Sequence, residues 1–564
     1  MIINPGWILD ERPATGGRLA DFLFIVVAGT AALVAIILWF DNAQGGLTGN
    51  GVFNSLQLKP WVVDPANAPL YPSNYLYYPV YGALCRLLDL LGIFAGDPRR
   101  QITILNAVSA SFCAGAVYFL ARSLTQSRPV ALLAALFHLA CNFVLFLAII
   151  NEDIMPSYTL MFASMALAAV WFPRPDAARV VAVSALFTLG WLFEWRLMFP
   201  TLPAMLAALW LCERRLAFRF GWIAVFLATV FAITAAVALF WQGHLKSVGT
   251  FDLIYTGKGV GTAWAGFTWP KVFYMWEGIV GYLLGAGVAH VPAIPGWDIW
   301  RFSATIWMAA VAAVALPMLW RARHDPRARA IAAVFGGTFV AGEVFNLYSQ
   351  PHDPQMQINI MAWLTVGWAF ALVAASRRWP RRGLVALAGL TVALAAYNVW
   401  SLVPLRGADG AWAQAVRRIE KQADPADTVF LLHGFDWITV YKSLHWSNEP
   451  EGIDDLGRAP QANPKFKWIA FVGGTMQHPD WIPERQAAIL RGQIVRAMEL
   501  GYTVMASEIW AWETARFAGL TGTIADTARI AALRDMLHAD FTGELAFTDP
   551  VAGPYHRLQR RPGR

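Results

Sequence analysis

The chain has 564 residues, 57% of them hydrophobic and only 14% charged, with a mean hydropathy of +0.45. Soluble domains carry about 25% charged residues, so this composition excludes an ordinary soluble protein and predicts a polytopic membrane protein with a less apolar C-terminal region. The formal charge of +7 does not indicate a nucleic-acid partner, because the Arg residues cluster in short loops between apolar runs.

A helix needs about 20 apolar residues to cross a bilayer core. In chain order the apolar runs predict about eleven spans, near 21–40, 102–120, 129–150, 154–172, 178–194, 197–212, 219–241, 302–320, 330–348, 358–376 and 384–403. The first run lacks a small-residue cleavage site before Asp41, so it reads as a retained span and not as a signal peptide. Cys85, Cys113, Cys141 and Cys212 lie in or beside apolar segments without metal-type spacing and read as packing residues. Segment 274–290 is apolar but Gly-rich and interrupted by Glu277, which suits a re-entrant or interfacial helix.

The first span ends Leu38-Trp39-Phe40 and is followed directly by Asp41. The long loop 41–101 contains Tyr75, Tyr77, Tyr78 and Pro79, then an amphipathic stretch over 80–94 with Arg86 and Asp89 toward its polar side. Aromatic side chains beside carboxylates suit sugar binding; an interfacial aromatic belt is the equal alternative. Between the third and fourth spans stands the minimal loop Asn151-Glu152-Asp153. It is expected to sit at the membrane surface and to hold its two carboxylates at a rim with Asp41, where tight helix ends position them.

Further along, Glu194-Trp195-Arg196 forms a sharp turn, and Lys258 lies in the Gly-rich Tyr255-Thr256-Gly257-Lys258-Gly259-Val260-Gly261. The loop 349–357 holds His352, Asp353, Gln355 and Gln357, flanked by Glu343, Asn346 and Asn359. Polar groups at that depth are costly and usually functional, which predicts part of a substrate pocket. After residue 404 the pattern predicts a small soluble α/β domain. Helices are expected over 411–423, 484–500 and 525–539, and strands over 428–433, 467–473 and 502–506. No Gly-x-Ser-x-Gly elbow or phosphate loop occurs there, so a covering or acceptor-binding role is expected.

Arg distribution sets the orientation. Arg12 and Arg18, Arg122 and Arg128, Arg174 and Arg179, Arg214, Arg215 and Arg219, Arg321 to Arg329, and Arg377 to Arg382 fall on one side, whereas 151–153 and 349–357 hold no Lys or Arg. This predicts a cytoplasmic N-terminus and, with an odd number of spans, an outward-facing (periplasmic) C-terminal domain; the style of the chain suits a bacterial inner membrane.

The acid after the first span, the long first loop with Tyr75 to Pro79, and the Glu152-Asp153 pair opening the fourth span resemble the GT-C glycosyltransferases. That resemblance implies a mainly α transmembrane bundle over 1–403 with outer loops 41–101 and 242–300, followed by a soluble domain over 404–564. It implies an inverting transfer of a monosaccharide from a polyprenyl-phosphate donor to a glycan, lipid or protein acceptor at the outer face. Asp41 would be the base, and Arg196, Lys258, Lys271 and Arg301 would be cations for the leaving phosphate. Glu152 and Asp153 would hold sugar hydroxyls, orient the acceptor, or bind a divalent ion (Mg or Mn) with Asp41. Donor lipid, acceptor and membrane lipid are the implied partners. The competing reading is a multi-pass lipid or glycolipid transporter or flippase, which usually shows alike halves and midplane charges. Here the acids gather at one rim.

Overall fold

A computed structural model describes residues 18–41, 58–68, 75–213, 215–240, 269–285, 297–348, 354–424, 427–432, 467–471, 482–511 and 527–563. These fall into two compact units. One takes the described residues up to Phe40 and from Leu58 to Arg406, and the other takes Asp41 and the residues from Gly407 onward.

The first unit is helical. Its elements are α1 (Arg18–Phe40), α2 (Tyr77–Leu90), α3 (Pro98–Thr125), α4 (Arg128–Ala140), α5 (Asn142–Ala148), α6 (Ile154–Trp171) and α7 (Ala177–Phe193). There follow α8 (Met198–Cys212), α9 (Leu216–Phe240), α10 (Trp269–Leu283), α11 (Trp297–Arg321) and α12 (Pro326–Ile331). The unit closes with α13 (Gly337–Tyr348), α14 (Pro354–Ile360), α15 (Ala362–Arg378) and α16 (Pro380–Trp400). Among the described residues nine helices are long and apolar enough to cross a membrane, counting α12 and α13 as one through the π-helical turn Ala332–Gly336. The broken pair α4–α5 makes a tenth, and the shorter α7 is also apolar. At about 1.5 Å per residue, α7 reaches about 26 Å, a little short of the roughly 30 Å hydrocarbon core. The chain is an integral membrane protein built as a helix bundle.

Local sequence explains where helices start. Asp97 accepts the Arg100 N–H with Pro98 in the first turn, Asp176 accepts from Arg179, and Asp325 accepts from Arg327 ahead of α12. Side-chain oxygens there satisfy otherwise orphaned N–H groups, and Pro is tolerated because its missing N–H has no intrahelical partner.

The third expected span is not a straight helix. It bends by 69° between α4 and α5, with Cys141 extended at the break. The carbonyl of Ala140 is not left bare: Asn398 of α16 donates its amide to it at 2.6 Å and to Leu283 at the end of α10 at 2.8 Å, while accepting the Gly285 N–H. Asn142 adds a bond to Gly281. A break inside a membrane bundle is tolerated only when its backbone groups find such partners. Of the segment expected over 274–290, the part up to Leu283 is helical within α10, which packs against α5 and α14, and 286–290 lie outside the described residues.

Helix directions define two ends. At one, Asp21 of α1 accepts from Tyr118 of α3 and Arg128 of α4. α3 lies between α1, α4 and α6. At the other end lie Phe40, the segment 149–153, and the turn between α7 and α8.

The second unit contains α17 (Ala408–Gln422), β1 (Thr428–Leu432), β2 (Lys467–Ala470), α18 (Pro483–Glu499), β3 (Thr503–Ala506), α19 (Thr527–Asp540), β4 (Phe541–Asp549) and β5 (Gly553–Arg560). The strand order is β2-β1-β3-β5-β4. β1 is parallel to β2 and β3, and β5 is antiparallel to β3 and β4. Val429, Leu431, Val504, Ile494, Leu537 and Phe541 share its core; each such side chain stabilises the domain by about 1.5–3 kcal/mol on burial. The three parallel strands match the sequence expectation. The β4–β5 hairpin was not foreseen.

Candidate functional site

The acidic loop does not stand open at a rim. Asn151 and Glu152 are fully buried and Asp153 is 6% exposed. The expected surface placement is therefore corrected: the chain after α5 folds inward beneath its neighbours before α6 begins.

Asn106, eight residues into α3, fixes that loop. Its amide nitrogen donates to the carbonyls of Ile150 at 2.8 Å and Glu152 at 2.6 Å. Its oxygen accepts from the Tyr81 hydroxyl at 3.0 Å. All four residues are buried. Two carbonyls, one amide and one phenol thus close a hydrogen-bonded set in a dry interior, where such bonds are strongest and most costly to leave unmade. Neither Asn106 nor Tyr81 was singled out in the sequence. A lone Asn in an apolar run carries no periodic signal.

The predicted tyrosines lie against this set. Tyr77 stacks on Tyr81 with ring centroids 4.5 Å apart and meets Tyr78 edge-on at 5.1 Å. Tyr75, Tyr77 and Tyr78 are all buried, so they line packed interior and form no exposed aromatic face. Burial, with the charges of Tyr81 and Asp153 adding to it, raises the Tyr77 hydroxyl well above its ordinary value. Tyr77 therefore stays a proton donor, and its hydroxyl makes no hydrogen bond among the described residues. Burial likewise pushes Tyr75 up to about 12. The short helix over 58–63 presses on α2 here: a Cβ on Gly82 would sit 2.7 Å from the Trp61 Cβ.

At the same end, the turn after α7 aims Arg196. Glu194, 1% exposed in its side chain, accepts Arg196 Nε at 2.7 Å and a terminal nitrogen at 3.1 Å, and also caps the Arg196 N–H. Ser157, in the first turn of α6, donates to Gly190 at 2.8 Å and weakly to Glu194 O at 3.4 Å. Leu76 N–H binds Leu192 O. Tyr75–Tyr78, Asn106, the acidic loop and Arg196 are thereby brought together by α2, α3, α6 and the α7–α8 turn.

Other predicted residues sit elsewhere. Asp41 follows α1 with φ 47, exposed, in the second unit; Asp tolerates that left-handed conformation better than most residues. Gln357 is fully buried on α14. Lys258, His352 and Asp353 lie outside the described residues, as do the side chains of Lys271, Arg301 and Gln355, whose backbones are helical. Among the described residues no three His, Cys, Asp or Glu side chains converge as metal ligands. The described part of the site therefore does not by itself fit a divalent ion.

No family model matches the sequence, and no curated protein matches it. Solved structures do match the fold. ArnT from Cupriavidus metallidurans bound to undecaprenyl phosphate aligns over 97% of this chain and 98% of its own, with a TM-score of 0.54 and 14% identity. The same protein in its apo state aligns over 96% and 98%, with a TM-score of 0.51 and 14% identity. The likeness drawn from the sequence holds at the level of the fold.

Proposed function

We propose that the chain is an integral-membrane glycosyltransferase of the GT-C type. It takes a monosaccharide from a polyprenyl-phosphate donor and moves it, with inversion, to a cell-envelope glycan, lipid or protein at the outer face of a bacterial inner membrane. The N-terminus is cytoplasmic and the C-terminal domain periplasmic. The observation that carries this reading is the Asn106 clamp on the buried Glu152–Asp153 loop. It is a positioned acidic centre in a fold matched end to end by a structure holding undecaprenyl phosphate.

In this reading Asp41 accepts the proton of the acceptor hydroxyl as its oxygen attacks the anomeric carbon. The bond from that carbon to the phosphate oxygen breaks on the opposite side, and polyprenyl phosphate leaves as an anion. Arg196, oriented by Glu194, offers it positive charge, with Lys258, Lys271 and Arg301 as further cations. Glu152, Asp153 and the Tyr77 hydroxyl bind sugar hydroxyls, and Tyr75 and Tyr78 support them. His352, Asp353, Gln355 and Gln357 complete the substrate pocket. The test is transfer of a labelled monosaccharide from undecaprenyl phosphate by the purified chain. Absence of transfer across a panel of sugars and envelope acceptors counts against the reading.

A transporter reading draws on the broken span α4–α5. The carbonyl at the break is bound by Asn398, which favours a structural bend over an ion site.

A further inference from the structure

A second polar centre lies outside the acidic loop. Glu343 and Asn346 are three residues apart in α13 and share a face. Gln357 of α14 brings its amide nitrogen to 3.4 Å from Glu343 Oε2. All three residues are buried. Glu343 Oε1 and both amide atoms of Asn346 are buried and make no hydrogen bond of good geometry among the described residues, although Asn346 lies near enough to Glu343 to interact with its carboxylate. The cluster is braced toward the candidate site: Asn359, two residues beyond Gln357, donates to Leu197 O at 3.2 Å and to Thr201 Oγ1 at 3.0 Å. Those residues follow the Glu194–Arg196 turn directly.

A buried polar atom left unpaired is costly. A set of them near the end of a membrane-spanning helix is an arrangement a ligand repays. Its chemistry selects the ligand. A phosphate offers only acceptors and would face the Glu343 carboxylate. An acyl chain would leave every atom unpaired. Hydroxyl groups both donate and accept, matching a carboxylate oxygen, an amide oxygen and an amide N–H on one face.

We propose that Glu343, Asn346 and Gln357 form a subsite for sugar hydroxyls, separate from the cations that meet the phosphate. The inference rests on the glycosyltransferase reading and adds which groups recognise the sugar. The sugar comes from the donor or from the acceptor, and the same chemistry serves both.

The test uses the full chain in lipid nanodiscs. Its probes are bare undecaprenyl phosphate, undecaprenyl phosphate carrying each of several monosaccharides, and the free monosaccharides. Glu343→Gln and Asn346→Ala are expected to weaken the preferred sugar-bearing lipid about 10- to 100-fold. Bare undecaprenyl phosphate should bind as before, which also reports that the variants fold. That result assigns the donor sugar. Loss of free-sugar signals in saturation-transfer NMR, with lipid binding unchanged, assigns the acceptor. The subsite is overturned if both variants keep wild-type affinity for every sugar-bearing probe, or if they lose bare and sugar-bearing lipid equally. A wild-type chain that binds no undecaprenyl phosphate in any form takes the subsite down together with the glycosyltransferase reading.

Discussion

The Asn106 amide donates to the main-chain carbonyl of Glu152 at 2.6 Å, across 46 residues of sequence. It bonds Ile150 at the same time, so one side chain sets the path of the backbone that carries both acids.

Asn106→Ala removes both bonds and leaves two buried carbonyls without them. The expected cost is about 1–3 kcal/mol of stability. Transfer should fall about 100-fold through kcat, because misplacing a reacting group by about 1 Å has that effect. Steady-state kinetics beside thermal melting check this. A variant with lowered melting temperature and unchanged kcat would show the clamp to be structural only.

Asp41→Asn keeps the size of the side chain and removes its basicity. Transfer is expected to drop by about 100- to 10,000-fold with expression and melting unchanged, and retained transfer would remove Asp41 from the base role. EDTA tests the divalent ion: unchanged transfer removes a metal role from Glu152 and Asp153. A loss restored by Mg or Mn would show that transfer needs a divalent ion.

Arg196→Met deletes a guanidinium held by Glu194. The donor KM should rise about 10-fold or more, in line with the worth of a hydrogen bond to a charged group. Glu194→Gln keeps the cap but loosens the aim and should raise KM less. Equal KM in wild type and Arg196→Met would exclude Arg196 as a phosphate ligand.

Asp549 in the soluble domain gives a pH prediction. Burial alone would raise its carboxyl, but the Arg418 pair at 2.7 and 3.1 Å and the N–H groups of Val551 and Ala552 hold it below the ordinary carboxylate value. Its folded value is thus depressed. The stabilisation is complete above the unfolded value, about pH 3.9, and is lost as pH falls through the folded one. Arg418→Met should destabilise the domain, by less than the loss of a fully buried pair would, because Arg418 is 36% exposed. Hydrogen exchange of β4 and β5, corrected for intrinsic rate, should accelerate in the variant at neutral pH and in the wild type only in strong acid.

The bundle was legible in the sequence because an apolar run of membrane length, nearly free of charge, can satisfy its backbone in lipid only as a helix. The bend at Cys141 was not, since Cys in an apolar run looks like any packing residue and its partner Asn398 lies in the last span. The acids were visible as a pair; their burial was not, because a short loop says nothing about what folds over it. Tyr75, Tyr77 and Tyr78 were legible as a cluster, while their burial depends on α2 lying against α3. Arg196 was legible as a turn cation, and Glu194 as its neighbour in sequence. The β4–β5 hairpin escaped notice because its strands alternate weakly, with residues such as Leu545 facing solvent.

Asn398 joins Ala140 across 258 residues and Leu283 across 115. A ribosome adding about 5–20 residues per second makes Asn398 roughly 13–50 s after Ala140. During that interval the broken segment α4–α5 is already made but lacks the amide that closes its bend. The last span is thus a keystone, and a chain truncated before α16 should insert its helices yet leave the kink, and the acidic loop beyond it, without a fixed shape.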